Sequence, residues 1–473
     1  MRKISKVSGI GTKYVITFMT MAIILLLSGS ANAATLTVDD SGGANYIRIQ
    51  DAINNAASGD IIEVYSGTYY ENVNVNKRLT LRGIGMPVVN AGGSGSTITL
   101  AEDGITLEGF TATGAGSNPN AGIKVISSSN TLRGNNATSN FLGIWLDSPT
   151  NNNMLIGNNA SNNIIGIRLH AFSTNNTLSG NNASSNYDGI QLMVSSNNTL
   201  SGNNANSNIM YGIYLYSSSN NNTLNGNNAS SNNQYGIWLD HSSNNTLIGN
   251  NATSNSYGIG LVSSSNNNTL SGNHASLNSY YGIDLSYSTI NNKIFNNFFN
   301  NSNNFRIRDT LSNIWNSTRT SGINIIGGSY LGGNFWANPG GTGFSQTCAD
   351  ANGDGICDSA YVLDANNIDY LPLAALPLVR FINGTVKDNS TGNSFAGVTV
   401  SANSTLSNTS DATGFYSFAV TDGTYNLIST INDIRFYSNT TTVSTNGQAV
   451  VIRDIEMIRK PTGNITGIVT RST

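Results

Sequence analysis

Between residues 130 and 292 the apolar positions come in two short runs per unit. One is a Leu just before Gly-Asn-Asn or its equivalent; the other is Gly-Ile-x-Leu. Asn, Ser, Thr and Gly fill most of the rest. Neither run is long enough for a helix, and turn-forming residues bound both, so each predicts a short β-strand. The glycine of the second run stands at Gly122, Gly143, Gly166, Gly189, Gly212, Gly236, Gly258 and Gly282, a repeat of 21 to 24 residues. A unit this short cannot bury a core alone and must stack on its copies. Parallel stacking of coils about 4.8 Å apart puts Ile144, Ile167, Ile190, Ile213, Ile237, Ile259 and Ile283 in one internal column. Leu146, Leu169, Leu192, Leu215, Leu239, Leu261 and Leu285 form a second. The repeated Asn136, Asn159, Asn182, Asn204, Asn228 and Asn251 suit a side-chain amide ladder at a turn. The predicted fold class is all-β, a right-handed parallel β-helix solenoid. A leucine-rich horseshoe has a similar period but needs more leucines per unit than these lines supply.

The flanks differ in pattern. Before the repeats, Thr35–Val38, Ile61–Tyr65 and Leu79–Leu81 read as strands, and residues 49–56 as a short amphipathic helix that caps the solenoid's open end. After Pro377 the alternation becomes that of a small antiparallel β-sandwich. Its predicted strands begin at Phe381 and continue at 398–401, 415–420, 425–428, 441–444 and 450–457. Residues 463–469 repeat the Asn383-Gly384-Thr385-Val386 theme, so 461–473 read as the start of a second, truncated sandwich. At the other end, Arg2, Lys3, Lys6 and Lys13 precede an apolar run that ends at Ala31-Asn32-Ala33. That is the pattern of a signal peptide, 1–33, cleaved after Ala33. The expected division is therefore 1–33, 34–376 for the β-helix with its cap and closing segment, 377–460 for the sandwich, and 461–473.

Composition narrows the function. Charged residues are 10% of the 473, and the formal net charge is −3. With no basic cluster to neutralise phosphates, nucleic acid is excluded as a partner. Two cysteines and three histidines are too few for a multi-metal or redox protein.

The segments IQDAINNAASGDIIEVYSGTYYENVNVNKRLTLRG, GGNFWANPGGTG and DANGDGICDSAYVLDANNIDYLPL resemble the opening and closing parts of NosD-like right-handed β-helix proteins. The resemblance covers about residues 34–376 and implies a pectate-lyase-like fold of a group associated with carbohydrate binding and sugar hydrolysis. It also carries a copper-related name. Copper(I) wants clustered Met, Cys or His, whereas His170, His241 and His274 lie on different coils, so copper is not expected. The pattern GTVKDNSTG, AGVTV, TSDATGFYSFAVTDGTYNL resembles carboxypeptidase-regulatory-like domains, which are transthyretin-like spacers or binding modules without catalytic residues.

Three candidate sites follow. Asp350, Asn352, Asp354, Ile356 and Asp358 surround the Gly355 turn with oxygen ligands at alternate positions, which suits a structural Ca²⁺. Cys348 and Cys357 bracket it, and an exported protein permits them to form a disulfide. The outward face of the Gly-Ile-x-Leu strand carries one column Lys124, Trp145, Arg168, Gln191, Tyr214, Trp238, Gly260, Asp284. Beside it runs Ile126, Asp147, His170, Met193, Tyr216, Asp240, Val262, Ser286. Aromatic planes beside carboxylates suit sugar rings, with Trp145, Tyr214, Trp238 and Asp240 as the contact residues. Asp147, Arg168 and His170 are the catalytic candidates if the face performs lyase or hydrolase chemistry. Asp188 with Asp240 is a weaker hydrolytic pair, separated by two coils. Sequons are abundant; the ladder position Asn136 is expected to be buried and unmodified, and the turn positions Asn197 and Asn244 to be better acceptors.

The sequence therefore predicts an exported, extracellular or cell-surface protein. Its role is adhesive, structural or polysaccharide-binding, with envelope or extracellular polysaccharide or other surface proteins as partners. The alternative is a polysaccharide lyase or glycoside hydrolase. A membrane is expected only through an uncleaved N-terminal segment or a missing C-terminal anchor.

Overall fold

The computed structural model describes residues 33–147, 149–309, 311–376, 380–403, 406–445 and 448–461. The predicted signal peptide, apart from Ala33, and almost all of the 461–473 segment lie outside them. Among the described residues, no helix is long and apolar enough to cross a membrane. The chain divides into two compact units after Ala375.

The first unit is a parallel β-solenoid. One sheet has 12 strands, from Thr35–Val38 to Lys293–Phe295, and a second has 11, from Val73–Val75 to Phe305–Arg308. The third wall is made of short strands at both ends, joined through the middle by single bridges from Asn136 to His274. Each coil places the Ile and Leu of Gly-Ile-x-Leu directly over the next, as in Ile144↔Ile167 and Leu146↔Leu169. These columns have no solvent exposure, and neither do the Leu132 and Ala137 columns that face them.

The Gly before each Ile is a packing requirement. A Cβ at Gly189 would stand 2.5 Å from the Gly212 carbonyl oxygen and 2.7 Å from the Asn208 amide nitrogen, closer than atoms pack without displacement.

Asparagine does more than one ladder's work. At the predicted positions Asn159 Nδ2 donates back to Asn136 Oδ1 (2.8 Å), and Asn251 to Asn228 (3.1 Å). This outer ladder is half-buried rather than buried, because the preceding asparagine of each Asn-Asn pair takes the inward position. The inward residues form three further ladders, begun by Asn130, Asn135 and Asn140. In each, the backbone N–H of one coil donates to Oδ1 of the next, and in the Asn130 and Asn135 ladders Nδ2 does so as well, whereas Asn140 gives Nδ2 to backbone carbonyls. Asn135 also donates Nδ2 to the Leu107 carbonyl, which closes the bend of the previous coil.

Both ends of the solenoid are sealed. The helix Ile49–Asn55 buries Ile49, Ala52 and Ile53 against the first coils. Glu71, almost fully buried, accepts the Ile49 and Gln50 N–H groups (2.8 and 3.1 Å). Lys77 Nζ donates to the carbonyls of Ile53, Asn54 and Ala56. An anion at the helix N-terminus and a cation at its C-terminus both match the peptide dipoles. At the far end Trp315 and Trp336 are fully buried, and the hairpin Tyr361–Asp364/Asn367–Asp369 completes the closure.

The second unit has two four-stranded sheets whose apolar residues, including Ile382, Val400, Tyr416, Phe418 and Leu427, share one core. Most strand pairs of this unit are antiparallel, as expected, but two are not. Arg380–Asp388 pairs antiparallel with Phe415–Val420 but parallel with Val450–Ile452 and Ile455–Met457, because the chain crosses back to it from the other sheet. Leu406–Thr409, an exposed and polar strand, escaped the alternation pattern.

Candidate functional site

The 11-stranded sheet sets the outward columns in the predicted register. Lys124 pairs with Trp145, Trp145 with Arg168, Arg168 with Gln191, and onward through Tyr214, Trp238, Gly260 and Asp284 to Arg306. Asp147 lies beside His170, and Tyr216 beside Asp240. The face divides into two regions with different chemistry.

The first region is charged. His170 Nδ1 lies 3.4 Å from Asp147 Oδ1, and Lys124 Nζ lies 3.2 Å from Asp147 Oδ2. Asp147 is thus held between a cation and an imidazole from the coils on either side. Arg168 comes from the same coil as His170. Among the described residues no carboxylate lies within ion-pair distance of it; Nη2 reaches Met193 Sδ at 3.4 Å and the Tyr216 hydroxyl at 3.5 Å. Trp145, expected to be an exposed sugar platform, is only 6% exposed. Lys124 lies over its ring at 4.3 Å, which accounts for the correction.

The second region is aromatic. Tyr216, Tyr214, Trp238, Tyr235 and Tyr257 form a nearly parallel stack, with successive centroids 4.4, 4.5, 5.3 and 4.5 Å apart. Tyr235 and Tyr257 precede the Gly-Ile pair and fold back over the column, so ring faces meet one another. Burial raises the Tyr214 and Tyr235 hydroxyls well above the usual phenol range, and Tyr211 to about 12, which keeps them protonated donors.

The end of this wall is closed by ions. Asp284, expected on the exposed column, is fully buried. It accepts hydrogen bonds from the Tyr235 hydroxyl (2.7 Å), Ser286 (2.7 Å) and Arg306 Nε (2.8 Å). Arg306 in turn lies over Tyr257. Gly260 is the vacancy that admits the Tyr235 ring, since a Cβ there would meet Tyr235 Cε1 at 2.5 Å. Gly260→Val is therefore expected to expel Tyr235, break its bond to Asp284 and cost about 3 kcal/mol. Urea unfolding and the near-ultraviolet circular dichroism of the aromatic stack measure this together.

Asp240 is paired with His241 at 2.8 Å, at the edge of the face. Asp188, almost buried, accepts from Gln191 at 2.6 Å, and burial raises its carboxyl above the usual range. Each is paired within its own coil, the two coils are not the same, and the structure does not bring the two carboxylates together. The residues that sequence reasoning passed over are Lys124, Tyr235 and Arg306. Lys124 already stood in the column two residues after Gly122; Arg306 lies beyond the last Gly-Ile pair, where the repeat loses its signature.

The 350–358 loop is a set of tight turns. Asp350 accepts N–H groups from Asp354 (3.1 Å) and Gly355 (2.8 Å), Asp354 accepts from Ile356 (2.9 Å), and Asp358 accepts from Ala351 (3.0 Å). Arg319 Nη2 lies 2.9 Å from Asp354 Oδ2 and supplies positive charge there. Cys348 and Cys357 are joined in a disulfide. Among the described residues no group of three or more His, Cys, Asp or Glu is arranged to hold a metal ion.

Comparison with known proteins places this geometry. Residues 96–253 match the family model described as right handed beta helix region, and residues 207–341 match that of periplasmic copper-binding protein (NosD). The solenoid is thus a right-handed parallel β-helix. A cell surface glycoprotein of Methanothermus fervidus is 38% identical over 95 residues, which are 20% of this chain and 16% of that protein. The chain therefore matches about a sixth of that relative's length. Among solved structures, the A-module of the Azotobacter vinelandii mannuronan C-5 epimerase AlgE6 aligns with 56% of this chain and 89% of its own, at 16% identity and a TM-score of 0.44. Pectate lyase Pel9A aligns with 60% of this chain and 81% of its own, at 16% identity and a TM-score of 0.44.

The donor set does not fit copper. His170 faces Asp147, His241 faces Asp240, and His274 packs at 5.2 Å against Phe298, where burial lowers its basicity. Met193 Sδ is turned toward Arg168. Among the described residues, these histidines and Met193 do not converge on one point.

Proposed function

We propose that this protein is exported to the cell surface, where the charged part of its solenoid face holds an envelope or extracellular polysaccharide without turning it over. The observation that carries the reading is Arg168: a half-buried arginine with no carboxylate partner among the described residues, beside the Tyr216 hydroxyl and the Asp147–His170 pair. A guanidinium is the group of choice for a planar carboxylate, so acidic sugars are favoured over neutral ones. The surface location is supported by the basic and apolar N-terminal segment and by the named cell surface relative. The second unit, read as a carboxypeptidase-regulatory-like sandwich, acts as a spacer. Calcium bound by the 350–358 loop, with Arg319 displaced, is part of the same proposal and has a structural role.

A second reading rests on Lys124, Asp147 and His170. An imidazole oriented by a carboxylate can take the proton α to a uronate carboxyl, with Arg168 holding that carboxylate. The carbanion's electron pair then forms a C=C bond as the C–O bond at the next ring carbon breaks, and the departing glycosidic oxygen takes the bond's electron pair and a proton from water, leaving an unsaturated sugar. One experiment separates the two: binding and product formation on acidic and neutral polysaccharides, with and without calcium. Binding weakened at least tenfold by Arg168→Ala, without products, is expected. Unsaturated or reducing-end products that disappear in His170→Ala would overturn the non-catalytic reading. No binding to any glycan would overturn both.

A further inference from the structure

The turn that enters the 12-stranded sheet carries the same tripeptide on five successive coils. Asn175, Asn197, Asn221, Asn244 and Asn267 each begin Asn-Asn-Thr, an acceptor sequence for N-linked glycosylation. All five are exposed and stand in the left-handed region, with φ between 56° and 60°. That conformation turns the side chain away from the coil while the following Asn enters a buried ladder, as Asn198 does with Asn222. The backbone N–H groups of Asn197, Asn221, Asn244 and Asn267 are held by the next coil's carbonyls. Their side-chain amides make no hydrogen bond to the described residues. The other sequon row is unlike this. Asn159, Asn182, Asn228 and Asn251 are half-buried and spend Nδ2 on the outer ladder.

We propose that the row Asn175–Asn267 is a glycan rail. In the modification, Nδ2 attacks the anomeric carbon of a lipid-pyrophosphate-linked oligosaccharide. The new bond is C–N, the C–O bond to pyrophosphate breaks with its electron pair leaving on the lipid pyrophosphate, and one amide proton goes to solvent. Successive acceptors stand about 4.8 Å apart, too close for two branched glycans side by side, so occupancy alternates and no molecule carries more than three of the five. The ladder row stays bare, because each Nδ2 there is turned onto Oδ1 of the preceding coil, and a sugar on it would occupy that coil's place. The rail rests on export of the protein and not on sugar binding by Arg168.

The test is intact-glycopeptide mass spectrometry on the full protein isolated from the cells that make it. Glycan on the five-residue row, never on adjacent members of one molecule, with none on Asn159, Asn182, Asn228 or Asn251, is the expected result. An unmodified rail, or glycan on the ladder row, overturns the proposal. A second variant set replaces Thr177, Thr199, Thr223, Thr246 and Thr269 with Val, which removes the acceptor sequence and keeps β-branched strand residues. It should lose the glycan mass while binding of acidic polysaccharide is unchanged. Failure of polysaccharide binding in the parent protein would leave the rail standing, and retained glycan on these asparagines in the Val set would sink it.

Discussion

Asn203→Ala is expected to unfold the solenoid at markedly lower urea concentration, whereas Asn204→Ala, its neighbour in sequence, is expected to be tolerated. Asn203 is buried. Its Oδ1 accepts both the backbone N–H and Nδ2 of Asn181 (3.0 and 2.9 Å), and its Nδ2 donates to the Leu178 carbonyl and to Asn227 Oδ1, both at 2.9 Å. Removing the amide leaves the Asn181 backbone N–H without its acceptor in a dry interior and takes one donor from the Leu178 carbonyl and one from Asn227 Oδ1. At roughly 1–3 kcal/mol for the orphaned group, with the lost bonds added, the cost is about 4 kcal/mol. Asn204 contributes Nδ2 to Asn182 Oδ1 at 3.1 Å and accepts from Asn228 at 3.0 Å, half-exposed, where water replaces what is lost. Its truncation should cost about 1 kcal/mol. Asn203→Asp tests direction as well as size. It keeps the acceptor for Asn181 but turns oxygen toward the Leu178 carbonyl and Asn227 Oδ1, and it should be at least as damaging as Ala at neutral pH. Equal midpoints for Asn203→Ala and Asn204→Ala would refute the distinction between inner and outer ladders.

That distinction marks where the sequence stops being legible. Repeat length, strand positions and the Ile and Leu columns can be read directly, since each recurs at a fixed offset and apolar residues belong inside. Asparagine in an Asn/Ser/Thr-rich chain reads as turn and surface, and an Asn-Asn pair does not say which member turns inward. Coil register decides it, placing Asn135 inside and Asn136 at the rim. The end seals were hidden for another reason. Glu71 and Lys77 stand 22 to 24 residues from most of the groups they hold, beyond any local pattern. At the candidate site the columns could be read but their covering could not. Lys124 lies over Trp145, and Tyr235 reaches across Gly260 to Asp284, through side-chain directions that strand alternation leaves open. The face expected to offer flat aromatic platforms instead stacks its rings on one another, and among the described residues its Arg168 has no carboxylate within ion-pair distance.

Stability of the closing segment is expected to fall as pH rises from about 4 to 7, with Asp369 as the cause. The ladder that begins at Asn135 runs through Asn203 and Asn297 to Asn334, and there it ends on a carboxylate. Asn334 donates its backbone N–H (2.8 Å) and Nδ2 (3.3 Å) to Asp369 Oδ2, Trp336 Nε1 donates at 2.8 Å, and the Leu371 N–H reaches Oδ1 at 3.2 Å. These donors favour the ionised form, but complete burial opposes them and prevails, raising the carboxyl from 3.8 to about 7. Below pH 3.8 the group is protonated in both the folded and the unfolded chain, and its contribution is at its maximum. Between 3.8 and 7 the unfolded chain ionises first, so unfolding is favoured by up to about 4 kcal/mol. Above 7 both states are charged and the dependence levels off. Asp188, raised by burial, acts in the same direction, and the Arg-paired Asp388 and Asp433 of the second unit act in the opposite one at lower pH. The informative quantity is therefore the difference between the parent and Asp369→Asn in the full chain. Hydrogen exchange of residues 361–373, corrected for intrinsic rates at each pH, should show protection decreasing toward pH 7 in the parent and staying flat in the variant. A slope that persists in Asp369→Asn would assign the dependence to another carboxylate and leave Asp369 as an ordinary ladder terminus.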